Sequence, residues 1–169
     1  VTGSIINRNL RNNVKLNSTS EELEGVFEFR TLDEARNIAA LLAKTCPNPE
    51  SVVVGLSELM INAIEHGNLG VGYEMKTKLC ERGVWLEEIE RRLASPEYRG
   101  KTASISITKD SHGIRFHIKD AGKGFDSDKF LNIDLLRVVH THGRGIAMAR
   151  MMSFDNLRYL GVSNEIIAT

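Results

Sequence analysis

Apolar and polar side chains alternate along GVFEFR, residues 25–30, the period of a strand with one buried face. Thr31 follows as a ready N-cap, and Glu34 three residues later completes a capping box. The helix opened there carries Ala35, Ile38, Ala39, Leu41 and Leu42 and stops before Pro47. A second helix is predicted from about Pro49 to His66, closed by Gly67. Residues 70–100 hold two short amphipathic pieces; in the second, Trp85, Ile89 and Leu93 recur every four residues, and Pro96 and Gly100 end the region. Residues 103–120 read as a β-hairpin: Ile105 and Ile107 alternate, Asp110–Gly113 turns, and Ile114, Phe116 and Ile118 alternate back. Residues 121–142 read as a long loop with one helical turn near 129–138, and 143–152 as a helix begun at a glycine. Phe154–Leu160 and Glu165–Ala168 are the final strands, joined at Gly161. Residues 1–20, rich in Asn and Ser with weak periodicity, read as a linker or a loosely attached strand. Helices and paired strands in separate blocks predict an α+β fold, a two-layer α/β sandwich with helices on one sheet face.

At 169 residues the chain suffices for one domain with a substantial core. Its 22 Lys and Arg balance 22 Asp and Glu, so the formal charge is zero. That argues against binding a polyanion by charge alone, and leaves room for a small anionic ligand held in one pocket. Cys46 and Cys80 are too few and too unpatterned for a disulfide framework or a zinc site, so a reducing cytosol is the default and a cytoplasmic location is expected. No apolar run is long enough to span a bilayer, and no basic–apolar signal opens the chain. Val1 stands where an initiator Met would, as in a piece of a longer protein or a processed chain.

The second helix poses the chemical question. It is apolar at Val52, Val53, Val54, Leu56, Leu59, Met60, Ile61, Ala63 and Ile64, yet it carries Glu58, Asn62, Glu65 and His66. Residues four apart share a helix face and seven apart nearly realign, so Glu58, Asn62 and Glu65 are expected to form one polar stripe. Buried singly, such groups would bond to neighbouring backbone, because unpaired burial is costly. As a stripe they can line a cavity, and an amide oxygen beside a carboxylate suits Mg²⁺. Two further motifs come later in the chain. DAGKGFD, residues 120–126, stands directly after a strand: Asp120 can accept a bond from an exocyclic amine, and Gly122 and Gly124 let a flat ligand approach the backbone. THGRGIAMAR places Gly143 and Gly145 before a helix, whose free N–H groups, with Arg144, make an anion site. Alone, each also reads as an ordinary glycine turn or glycine-initiated helix.

No Walker-type loop, Rossmann fingerprint or Gly-x-Ser-x-Gly elbow occurs, and the histidines lack His-Glu-x-x-His spacing. His66 reads as a helix-end residue bonding the last carbonyls, His140 and His142 as loop residues, and the Trp85 helix as packing. Taken in order, however, the three motifs resemble the boxes of the GHKL superfamily, the Bergerat ATP-binding fold of histidine kinases, gyrase-type topoisomerases, Hsp90 chaperones and MutL. ELMINAIEHG resembles the N box, DAGKGF the first glycine box and GRGIAMARMM the second, over roughly residues 25–169. Within the superfamily, the spacing of Glu58 and Asn62 followed by EHG, and the closing SFDNLRYLGVSNEI, look most like the anti-sigma-factor serine kinases of bacterial partner-switching systems.

The resemblance implies a mixed sheet with helices on one face, and a domain over 25–169 preceded by a linker or loosely attached segment, 1–24. It implies ATP and Mg²⁺, with Asn62 holding the metal, Glu58 as general base for a serine hydroxyl, and Asp120 binding the adenine amine. Gly122, Gly124, Gly143, Arg144 and Gly145 would frame adenine and phosphates, and residues 125–142 would be the ATP lid. The implied partners are an anti-sigma-factor antagonist bearing the substrate serine and a sigma factor, with no nucleic acid or membrane and with a homodimer open. The alternatives are a non-catalytic ATP-binding switch and the catalytic ATP-binding domain of a histidine kinase-type protein; no His-bearing dimerisation helix is seen for a complete sensor kinase. The 70–100 segment is an insertion relative to the compact anti-sigma kinases, a candidate partner surface or modifier of dimerisation.

Overall fold

The computed structural model describes residues 23–124 and 153–169, with the backbone of 13–16. Asn13–Leu16 (β1) pairs antiparallel with Leu23–Phe29 (β2), so part of the loosely read N-terminal stretch is a sheet strand. In β2 the alternation does what it predicts: Gly25, Phe27 and Phe29 are buried while Glu24, Val26 and Glu28 face solvent. From β2 the chain enters a helical layer, Leu32–Ala43 (α1) and Pro49–Asn62 (α2), followed by a wide π-helical turn over Ala63–Asn68. Two short helices come next, Tyr73–Glu81 (α3) and Trp85–Ala94 (α4), the two amphipathic pieces expected in 70–100. The chain returns as the hairpin Ala103–Asp110 (β3) and Gly113–Lys119 (β4), and ends as the hairpin Leu157–Leu160 (β5) and Glu165–Ala168 (β6). The strand expected from Phe154 starts at Leu157, because the amides of Asp155 and Asn156 donate to the carbonyl of Thr169 just before the β5–β6 ladder.

The six strands lie in the order β1-β2-β3-β4-β6-β5. Register stacks the apolar positions on one face: Phe27 lies opposite Ile105, Ile105 opposite Ile118, and Ile118 opposite Ile166. The sheet expected to be mixed is antiparallel at every pairing among the described residues. A five-residue link makes α1 and α2 a helical hairpin, so the chain runs out and back before β3 instead of making the single crossover that a parallel pair needs.

The helices cover the apolar face. Thr31 Oγ1 accepts the Glu34 N–H at 3.2 Å, and Glu34 Oε2 accepts the Thr31 N–H at 3.0 Å, the predicted capping box. Such a cap contributes about 1 kcal/mol. Each fully buried Leu or Ile contributes roughly 1.5–3 kcal/mol, and α1 buries Leu32, Ile38 and Leu42 with three alanines, so packing outweighs capping. α2 crosses residues 153–154 closely at Gly55: a Cβ there would lie 2.5 Å from that of Ser153. The residues expected to form the helical turn at 129–138 and the helix at 143–152 lie outside the described residues, as do residues 125–142, read as the lid.

Candidate functional site

Glu58 and Asn62 sit one turn apart on α2, both half-buried, as the polar stripe requires. Glu65 does not continue it. The π-helical turn opens directly after Asn62, with the Leu69 N–H reaching back to the Ile64 carbonyl at 2.8 Å. Each residue added to a helical turn rotates the next side chains by about 100° around the axis. Glu65 therefore points toward α3 and α4, fully buried. Its Oε2 takes the Lys76 ammonium at 2.5 Å, and its Oε1 takes the Trp85 indole N–H at 2.6 Å. The expected three-residue stripe is thus two residues long. His66 does bond a carbonyl, but one ahead of it: Nδ1 meets the Val71 oxygen at 2.5 Å. Trp85 is partly packing, as expected, and partly this polar anchor. Arg92 closes the same joint by donating to the Leu69 carbonyl at 2.6 Å.

The other side of the π turn meets the loop after β4. Asp120 leaves the end of β4 with its N–H donated to the Asn164 carbonyl at 3.0 Å. Its carboxylate turns back, Oδ1 accepting the Gly122 N–H at 2.7 Å. A Cβ on Gly67 would fall 2.3 Å from the Asp120 carboxyl carbon, and one on Gly122 would fall 2.6 Å from the Gly67 carbonyl. Gly124, at φ +75°, lies where a Cβ would meet the Val162 carbonyl at 1.8 Å. Only residues without a side chain let these three segments converge. Asn68, buried on the same turn, accepts the Ala121 N–H at 2.8 Å.

Burial pushes the Asp120 carboxyl up to about 6, against the opposing pull of the Gly122 N–H and the Lys101 charge. Burial also raises the neighbouring Tyr159 phenol, with the Asp120 charge adding to it. A poorly solvated carboxylate with one oxygen tied to its own loop has the other to offer an N–H donor, as an exocyclic amine would supply. Gly143, Arg144 and Gly145 lie outside the described residues. Among the described residues no group of three His, Cys, Asp or Glu side chains could hold a metal ion. Gly67 was legible only as a helix stop and Asn68 had no role; the signal available was their adjacency, two poor helix formers ending an apolar helix.

A helix-covered antiparallel sheet with a half-buried carboxylate and close-packed glycines at a strand end, packed on the turn that continues an acid–amide helix, fits an ATP-binding domain of the GHKL type. The chain belongs to the histidine kinase-like ATPase family: a family model described as histidine kinase-like ATPase domain matches residues 26–169. A search of curated proteins found no match.

The convergence at Gly67 yields a direct prediction. Gly67→Ala adds a methyl where the Asp120 carboxyl already sits, and overpacking of this kind costs typically 1–3 kcal/mol. ATP affinity measured by calorimetry should fall about tenfold or more, with far-ultraviolet circular dichroism unchanged; wild-type affinity would show that the carboxylate is free to move aside.

Proposed function

We propose that this domain is an ATP- and Mg²⁺-dependent protein serine kinase of the anti-sigma-factor type, acting in the cytoplasm in bacterial partner switching. The observation that carries the proposal is the placement of Glu58 one helical turn before Asn62, on the helix whose continuation at Gly67 touches Asp120. A module that only binds nucleotide has no use for a second acid there. Asp120 takes the adenine amine, and Gly122 and Gly124 keep the backbone close to the base. Gly143, Arg144 and Gly145 would face the phosphates. The donor set fits Mg²⁺, which is held by one or two protein oxygens with phosphate oxygens and waters completing its shell; Asn62 would supply that oxygen and the ion would offset phosphate charge. Glu58 orients and deprotonates the incoming serine hydroxyl. Phosphoryl transfer asks for little beyond such positioning and charge compensation. The substrate serine belongs to an anti-sigma-factor antagonist and the second partner is a sigma factor; nucleic acid is not a ligand. The domain spans 25–169, with 70–100 as its helical insertion. Capture of partners with and without ATP, followed by transfer of radiolabelled phosphate to a captured serine protein, tests the assignment. Absence of transfer with the true partner present would leave an ATP-binding switch.

The adenine assignment has its own pH signature. Asp120 accepts an amine proton most strongly when ionised, so ATP affinity should fall as pH drops through about 6. The stability sign is opposite. A carboxyl raised above its ordinary value contributes stability to the free protein that is full below about 4 and lost as pH rises through about 6. Asp120→Asn should therefore melt higher than wild type at pH 8, the gap closing by pH 4, while losing preference for ATP over GTP. Calorimetry showing an unchanged preference would remove Asp120 from base recognition.

A further inference from the structure

Asn68 is 2% exposed, and its amide nitrogen is buried without a partner among the described residues. Leaving a buried donor unmatched is unfavourable, so the side chain calls for a compensating task. Its one described bond supplies it: Oδ1 accepts the N–H of Ala121, the residue between Asp120 and Gly122. Those flanking residues are already joined, the Gly122 N–H to the Asp120 carboxylate. The bond from Asn68 thus pins the middle of the three-residue turn that aims the carboxylate, while Gly67 abuts that carboxylate from the same segment. Asn68 itself has little freedom, because the insertion holds the turn at Glu65, His66 and Leu69.

We propose that Asn68 is a positioning residue for base recognition, an uncharged acceptor that fixes the Asp120–Gly122 loop so that the carboxylate meets the exocyclic amine of adenine. This role rests on Asp120 reading the base. It also explains the residue type. Leucine would match the volume and accept nothing. Aspartate would keep the acceptor but set a second negative charge beside a carboxylate that already has the Tyr159 phenol near it and, among the described residues, Lys101 as the cation acting on it. Like charges at short range raise the affinity of both for protons.

The test compares wild type, Asn68→Leu and Asn68→Asp by calorimetry with ATP and with GTP, from pH 5.5 to 8.5, alongside thermal melts. Asn68→Leu should lose at least tenfold in ATP affinity with GTP affinity within twofold of wild type, so that base preference collapses without general loss of binding. Asn68→Asp should restore the preference at pH 8.5 and lose it on acidification about one unit earlier than wild type. Equal losses for ATP and GTP in Asn68→Leu, or full preference retained, would overturn the role. Should the leucine variant not fold, failure of Asn68→Asp to regain preference at pH 8.5 would do so. A wild type without any preference for ATP would instead remove the base assignment itself, and this role with it.

Discussion

Lys76→Met is expected to destabilise the domain by about 3 kcal/mol, the lower end of what removing one partner of a buried ion pair costs, and to lower the melting temperature by roughly 10 °C. Glu65 is fully buried, and Lys76 is its single charged partner among the described residues, at 2.5 Å. The Lys76 side chain is 20% exposed, which places the effect at that lower end. Removing it strands a carboxylate in the joint between α2 and the helices α3 and α4, with the Trp85 N–H as its remaining described donor. The partner change discriminates cause. Glu65→Gln keeps an acceptor for Trp85 and removes the charge, so the double variant Glu65→Gln with Lys76→Met should recover most of the loss. Trp85 is the chain's single tryptophan and donates to the very group in question, so its fluorescence follows the melt. A wild-type melting temperature for Lys76→Met would show that α3 and α4 are not held to α2 by this pair.

The second large effect separates kinase from switch. Under the proposed function Asn62 serves the bound ground state through the metal, whereas Glu58 serves mainly the transition state. An interaction used only in the transition state lowers turnover when removed and leaves binding largely intact. Loss of a positioned general base costs roughly a hundred- to ten-thousand-fold in rate. Glu58→Ala should therefore bind ATP with Mg²⁺ nearly as wild type does and phosphorylate its partner slower by that factor. Asn62→Ala should lose metal-dependent ATP binding. The measurements are calorimetry with and without Mg²⁺ and radiolabel transfer to the partner protein. Transfer at near wild-type rate in Glu58→Ala would rule out the base role while leaving ATP binding untouched.

What the chain declares by itself is whatever short-range chemistry decides. Thr31 and Glu34 are three residues apart, so the cap of α1 is local and legible. The alternation in β2, β3 and β4 reports a sheet with one buried face, because a strand's period is built into its backbone. The nucleotide fold was legible from three spaced motifs, since their residue types are dictated by what a base and phosphates require. Tertiary structure decided the rest. Helical periodicity put Glu65 on one face with Glu58 and Asn62; the π turn after Asn62 broke that period and sent Glu65 to partners 11 and 20 residues away. Nothing near Gly67 or Asn68 in the chain reveals that they close on Asp120 and Ala121, because that contact forms only when the helical layer docks on the sheet. The antiparallel pairing of β2 with β3 likewise depends on where the helical layer returns the chain. Local pattern determined which elements form and which chemistry they carry; packing between segments more than fifty residues apart determined which side chains share the site.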